Sequence, residues 1–360
     1  MSALPRIQYF LGANAPGGFC SLYPELLPPD AARAIYILKG GPGCGKSTLM
    51  KRVADRLEEA GLEAEYILCS GDPDSLDAVV FPRAGAAIVD GTAPHVVEPK
   101  LPGAVERYVN LGDCYDSAAL YPLRQAIMDC MAGYKGCYAR AYRCLDAAAA
   151  LTQDSRTLLA TDELGERMAK RAKGILSREL PRVKSDAPGR VRQRFLGAVT
   201  HKGILCLYDT ALAQCSRIYE LSDPYGLAHE LLLHLLAGAT AAGYEVVACP
   251  DPMAPDRLAH LLVPELELAF LTSSPALPFR SPPYRRLRLE SMVEDGLLRR
   301  SRARLRFSRK VSAALTEEAV ASLAQAKAMH DDLEAIYNPH VDFDRVSAFA
   351  RQVGDEILSF

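Results

Sequence analysis

The sequence predicts an α/β chain: two tandem three-layer α/β/α domains with mainly parallel sheets, each followed by a helical hairpin extension. Three observations lead there. A short apolar, β-branched run, Ala34-Ile-Tyr-Ile-Leu38, ends at the glycine-rich segment Gly40-Gly-Pro-Gly-Cys-Gly-Lys-Ser47, and a helically periodic stretch begins directly after it. The same series of landmarks returns in the second half, in the same order. Each half then closes on a long stretch almost free of helix breakers. A Lys/Arg/Pro/Gly segment at 181–189 separates the copies and places the domains at residues 1–185 and 186–360.

Composition bounds the classes. With 360 residues, 49% hydrophobic and 24% charged, the chain has apolar material for two cores and too much to stay unfolded. A net charge of −2 argues against bulk electrostatic binding of nucleic acid and leaves only a local basic patch for that purpose. No apolar run approaches the roughly 20 residues that span a bilayer, so no membrane partner is expected. The N-terminus lacks the basic start and apolar core of a secretory signal. Ten cysteines are scattered without a CxxC pair, which points to free thiols in a reducing cytoplasm.

Segment 40–47 fits G-x-x-x-x-G-K-[ST]. Gly40, Gly43 and Gly45 free the backbone to take positive φ and bring its N–H groups against phosphate oxygens. With Gly41, Pro42 and Cys44 they form a nucleotide-binding loop, and the helix N-terminus adds its own unsatisfied N–H groups. Lys46 is placed to reach the β- and γ-phosphates, the Ser47 hydroxyl to ligate Mg2+, and Thr48 to meet the α-phosphate. Leu49, Met50, Val53, Leu57 and Ala60 then recur at helical spacing, and Gly61 supplies the stop. A glycine-rich turn that binds nothing is the alternative, and it leaves the strand, the Lys-Ser pair and the helix unexplained.

A second strand is expected at 64–69 and a third at 86–90, ending in Asp90. A strand-terminal acid after such a loop is the usual second carboxylate for Mg2+, so Asp90 joins Ser47 as a metal residue and Lys46 as a catalytic one. A turn or cap role is the competing account of Asp90. Asp72, Asp74 and Asp77 follow the second strand at the sheet edge where ligands bind. Asp72 and Asp74 are catalytic candidates; this group could position water, hold metal through water, or cap the next helix. His95 belongs to the same edge, where a lone loop histidine is more often structural.

The repeat aligns by landmarks: Phe10-Leu-Gly-Ala13 with Phe195-Leu-Gly-Ala198, Ile35-Tyr36 with Ile218-Tyr219, Cys69 with Cys249, and Pro82 with Pro264. The loop is erased in the second copy. Asp223 stands where Gly40 sits, Ala228-His229-Glu230 replaces Gly45-Lys46-Ser47, and Thr272 replaces Asp90. A carboxylate near a phosphate repels it, so the second copy is expected not to bind a magnesium nucleotide. His229 and His234 do not form a zinc-protease pair, because five residues at about 100° each put them on different helix faces.

Residues 121–180 and 312–338 read as helical. Cys130, Cys137 and Cys144 share a face as small apolar packing, and Lys327, His330, Asp331 and Glu334 read as a solvated face. Residues 285–310 form a basic run: surface salt bridges are one reading, and a phosphate or nucleic-acid contact the other. Arg299 or Arg300 could aim at the γ-phosphate held by the first loop.

Residues 35–90 resemble the P-loop NTPase superfamily, with Gly40 to Ser47 as its Walker A loop. The segments Gly40-Gly-Pro-Gly-Cys-Gly-Lys-Ser-Thr-Leu-Met-Lys51, Asp72-Pro-Asp-Ser-Leu-Asp77, Asp90-Gly-Thr-Ala-Pro-His-Val-Val-Glu-Pro-Lys100 and Pro102-Gly-Ala-Val105 extend the resemblance to a bacterial family of tandem P-loop ATP-binding proteins. That resemblance implies ATP with Mg2+ and no particular substrate. In such relatives the second half can also carry an intact loop, which this chain lacks. The expected function is an ATPase or ATP-dependent switch working from one site. A kinase for a small-molecule or nucleotide acceptor is the alternative, and a nucleotide-gated module for a polyanion or protein partner is the third.

Overall fold

The computed structural model describes residues 6–28, 30–180, 184–185 and 187–360. Of the expected 181–189 boundary, residues 181–183 and 186 therefore lie outside the described residues. The first half opens with β1 (Ile7–Tyr9) and a hairpin of β2 (Gly12–Ala15) and β3 (Gly18–Ser21). It continues through β4 (Ala34–Lys39), α1 (Lys46–Glu59), β5 (Glu65–Leu68), β6 (Leu76–Phe81), β7 (Ala86–Asp90) and β8 (Glu106–Asn110). Helices α2 (Ser117–Leu120), α3 (Arg124–Leu159) and α4 (Asp162–Glu179) close it.

The second half repeats this order with β9 (Val191–Gln193), β10 (Gly197–Thr200), β11 (Gly203–Cys206), α5 (Tyr208–Gln214) and β12 (Arg217–Ser222). Then come α6 (Ala228–Ala241), β13 (Val246–Asp251), β14 (Ala254–Val263), β15 (Leu268–Ser273) and β16 (Arg285–Arg288). Helices α7 (Asp295–Tyr337) and α8 (Phe343–Leu358) follow. Each half builds a six-stranded sheet, in orders β1-β5-β6-β7-β4-β8 and β16-β12-β15-β14-β13-β9. All neighbours are parallel except around β6 and β14, which run antiparallel to both partners.

Strand alternation decides which core each side chain enters. Tyr36 and Leu38 face outward with Ile88, under Leu49, Val53 and Leu57 of α1. Ile37, Ile67 and Val89 face inward and join Ile218, Val247, Leu262 and Leu271 of the other sheet in one cluster. The inner face of each sheet is thus covered by the other half, and α helices line the two outer faces.

Those outer helices are exchanged. Val346, Val353 and Ile357 of α8, from the second half, pack with α1 over the first sheet. Leu164, Met168 and Ile175 of α4, from the first half, pack with α6 over the second sheet. Between them α3 and α7 run side by side and antiparallel, tied by Arg140 to Glu318 at 2.7 Å and by Arg304 to Asp154. At 1.5 Å per residue these helices of 36 and 43 residues are about 54 and 65 Å long. A buried pair also locks the halves: Arg194, 1% exposed, donates to the Glu65 carboxylate and to the carbonyls of Glu25 and Leu26. Burial alone would raise the Glu65 carboxyl, but Arg194 and Arg192 hold it below its ordinary value.

Four expectations change. No helix follows Asp72–Asp77, because Leu76–Phe81 is a strand buried along its whole length, so helix capping is not their role. The basic run does not precede the last long helix but enters it, since α7 starts at Asp295. Cys130, Cys137 and Cys144 are only half-buried. The face carrying Lys327 and Glu334 is not simply solvated, for a reason that emerges at the loop. Among the described residues no helix is long and apolar enough to cross a membrane.

Candidate functional site

The glycine loop hangs from the end of β4 and feeds α1, whose first residue is Lys46. Gly43 and Gly45 take left-handed φ of 70° and 83°, which a side chain would strain. Gly40 is needed for room, because a Cβ there would lie 2.7 Å from Cys44 Sγ. Burial pushes the Cys44 thiol up, with Lys46 pulling the other way, so this loop cysteine is a packing residue. The Lys46 ammonium folds over the loop and donates to the carbonyls of Gly40 at 2.6 Å and Gly41 at 2.9 Å.

Lys46 Nζ also lies 3.5 Å from Asp90 Oδ2, both side chains being largely buried. The other carboxylate oxygen, Asp90 Oδ1, accepts from the Thr92 amide and hydroxyl at 2.8 and 2.6 Å. Ser47 Oγ accepts from the Leu76 amide at 3.0 Å, so the first residue of β6 meets the start of α1. Thr48 follows Ser47 within the first turn of α1. The fold thus brings Lys46, Ser47 and Asp90 to one place.

Asp72 and Asp74 face elsewhere. Asp72 accepts from Ser75 Oγ at 2.9 Å and lies 3.6 Å from Lys327 on α7. Asp74 is exposed and pairs with Lys202 of the second half. Asp77 is buried: Tyr23 donates to its Oδ2 at 2.8 Å, and His95 Nε2 lies 3.4 Å from its Oδ1. Burial raises the Asp77 carboxyl, against the pull of His95, and burial with the Asp77 charge pushes the nearby Cys69 thiol well up.

The loop is roofed by the second half, through residues that sequence reasoning did not single out. The Gly43 amide donates to Glu334 Oε1 of α7 at 3.3 Å. A Cβ on Gly43 would come within 2.7 Å of Asn338 Oδ1. Tyr115 donates from its hydroxyl to the Pro42 carbonyl at 2.9 Å and packs against Tyr337. Phe343 and Val346 of α8 close on Gly45. Arg299 and Arg300 are absent from this contact. They lie near the other end of α7, about 50 Å along the helix from Glu334, and engage Asp295 and Glu294. A γ-phosphate role for them is excluded in this arrangement.

The second loop shows what the substitutions do. Asp223 Oδ1 accepts from the Leu227 amide at 2.9 Å, and its Oδ2 accepts from the Ala228 amide at 2.7 Å. The carboxylate fills the amide cradle from inside, capping α6. Burial raises that carboxyl while those amides oppose the rise. His229 has become structural, its Nδ1 accepting from the Leu258 amide at 2.9 Å. Arg156 of α3 packs over Gly226 there, at the same distance from the turn Leu111–Cys114 as Glu334 is from Leu289–Met292. Each long helix therefore lays one charged residue on the loop of the opposite half.

Residues 23–158 match the family model described as Nephrocystin 3, N-terminal, a domain found in NTPase-like proteins. That span contains the glycine loop, Lys46, Ser47 and Asp90 and ends within α3. No curated protein and no solved structure matches the chain.

Proposed function

We propose that this chain is a Mg2+-dependent ATP-binding protein, a P-loop ATPase or ATP-dependent switch, working from the single loop of its first half. The observation that carries the reading is the Glu334 carboxylate on the Gly43 amide. A loop amide already holding an anion offers the chemistry a phosphate needs. That anion belongs to α7, so a nucleotide phosphate competes with it: two negative groups do not share one amide cradle.

The triphosphate would take the amides of residues 41–48, with Lys46 leaving the Gly40 and Gly41 carbonyls to meet phosphate oxygens. Ser47 and Asp90 are the residues to hold Mg2+, which supplies charge neutralisation at the phosphates when bound. Asp90 keeps its orientation through Thr92. Glu334, expelled by like charge, carries the end of α7 with it, and Lys327 leaves Asp72. Because α7 belongs to the second half and packs along α3, that release is a signal passed between halves. The second loop, lacking lysine and filled by Asp223, remains structural.

A second reading, a nucleotide-gated module for a polyanion or protein partner, is favoured by one surface. Arg167, Lys170, Arg171 and Arg178 of α4 line a concavity beside Ser291, in line with the basic strand β16. Salt-sensitive retention on heparin that changes with Mg·ATP would support it. Phosphorylation of a small acceptor finds no comparable support.

The test is hydrogen exchange across residues 327–340 with and without Mg·ATP, with phosphate release followed on the same sample. Faster exchange there on nucleotide addition supports the switch, and steady release identifies it as an ATPase. ATP binding with unchanged exchange throughout α7 would sink the switch, and absence of ATP binding would sink the whole reading.

A further inference from the structure

We propose that Cys69, Asp77 and His95 form a binding site for a Zn2+-class divalent transition metal, apart from the Mg2+ position assigned to Ser47 and Asp90. Their ligand atoms lie within 4.8 Å of one another, although they come from three separate segments: the end of β5, the start of β6 and the loop after β7. A thiol, a carboxylate and an imidazole together are a donor set suited to zinc and unsuited to magnesium, which takes oxygen. Tetrahedral ligands at about 2.0–2.3 Å from a metal stand roughly 3.3–3.8 Å from each other, so side-chain shifts of about an ångström close the site.

The imidazole is also placed for ligation: His95 is 7% exposed, its Nε2 faces Asp77 Oδ1 at 3.4 Å, and its Nδ1 is buried with no hydrogen-bond partner among the described residues. The ring is walled by Phe19 and Tyr23, each with centroids 5.1 Å away. The outer support is also present. Tyr23 holds Asp77 Oδ2 and leaves Oδ1 facing the cluster, the kind of hydrogen bond that orients a ligating carboxylate.

The repeat supplies an internal control. Counting back from Pro264 as from Pro82, Asp251 stands in place of Cys69 and Ala259 in place of Asp77, while Cys249 pairs with His260 as Ile67 pairs with Ala78. Leu277 stands in place of His95, each closing the same turn by donating to the carbonyl three residues back, Ser274 and Thr92. The half that lost the phosphate loop has also lost this thiol, this carboxylate and this imidazole. Register across β6 and β7 pairs Ala78 with Val89, which sets Asp77 opposite Asp90. A metal in the cluster therefore sits one strand from the nucleotide site. Three protein ligands leave a fourth position open to water or another small ligand.

The test uses the full chain stripped with chelator and titrated with Co2+, with no nucleotide or Mg2+, so that its outcome is independent of ATP. The expected result is one equivalent of cobalt giving a thiolate charge-transfer band and the intense visible bands of a four-coordinate ion, displaced by Zn2+. Cys69→Ala should remove the charge-transfer band, and Cys249→Ser should leave it. Asp77→Asn keeps the shape and the Tyr23 contact, so it guards against misfolding, and it should weaken cobalt at least tenfold with an unchanged circular dichroism spectrum. No stoichiometric band, a band that survives Cys69→Ala, or undiminished affinity in Asp77→Asn would overturn the site.

Discussion

The two glycine loops differ in where their anion comes from. In the second half the anion is internal: Asp223 reaches the amides of its own loop and of the first residue of α6. In the first half it is borrowed: Glu334 arrives on a helix from the opposite half and touches one amide, at 3.3 Å. Glycine loops with helix N-termini are anion traps in both cases. What separates them is exchangeability. The first copy keeps Lys46 and takes from the other half an anion that, on the proposed function, a nucleotide displaces, while the second lacks the lysine and holds a carboxylate of its own.

The largest effect expected is from Lys46→Ala. Losing charge-assisted bonds to two phosphates should cost about 3–4 kcal/mol, a loss of about 10²–10³ in Mg·ATP affinity by calorimetry, with the melting curve unchanged. Unchanged affinity would erase the distinction between the loops. Arg194→Met comes next and tests whether the halves act as one body. It strips Glu65 of its closest buried partner and should destabilise the chain by about 3 kcal/mol, read by denaturant titration. The Glu65 carboxyl is held below its ordinary value when folded. Its contribution is therefore present above the unfolded carboxylate pKa and is lost as pH falls through the folded one. Arg194→Met should flatten that acid limb of the stability curve.

Two smaller effects sharpen the contrast. Glu334→Ala frees the Gly43 amide and should tighten Mg·ATP by about five- to thirtyfold, the value of one charged hydrogen bond plus relieved repulsion. Weaker binding would mean that Glu334 assists the nucleotide rather than competing with it. Asp223→Ala should lower stability by about 1 kcal/mol, the usual value of a helix cap. It should create no second ATP site, because no lysine stands in position 46's counterpart. Nucleotide binding gained by that change would show that the carboxylate alone silences the second loop.

Much of this was legible in local sequence. Ala34 to Ser47 carries strand, loop and helix start within reach of one another, and Asp90 ends an apolar strand, so their meeting follows from chain direction alone. Strand β6 was harder. Residues 78–81 are a short apolar run with no alternation to mark an edge or a helix, and Asp77 just before them reads as a cap. A lid from the helical hairpins is a reading the sequence allows, but the residues that form the roof are not legible in it. Glu334 lies on a polar helical stripe, and only the exchange of helices between halves turns that stripe toward Gly43. The duplication held one usable hint: Arg156 and Glu334 occupy matching places, the basic one above the loop carrying Asp223 and the acidic one above the loop carrying Lys46. Cys69, Asp77 and His95 are likewise too scattered along the chain to read as a cluster before the sheet brings them together.

The most direct test of the account is the stoichiometry of Mg·ATP binding to the intact chain by calorimetry. One nucleotide per chain is predicted, abolished by Lys46→Ala. Two per chain, or one that survives that substitution, would place nucleotide at the loop filled by Asp223 and contradict the division of labour between the halves.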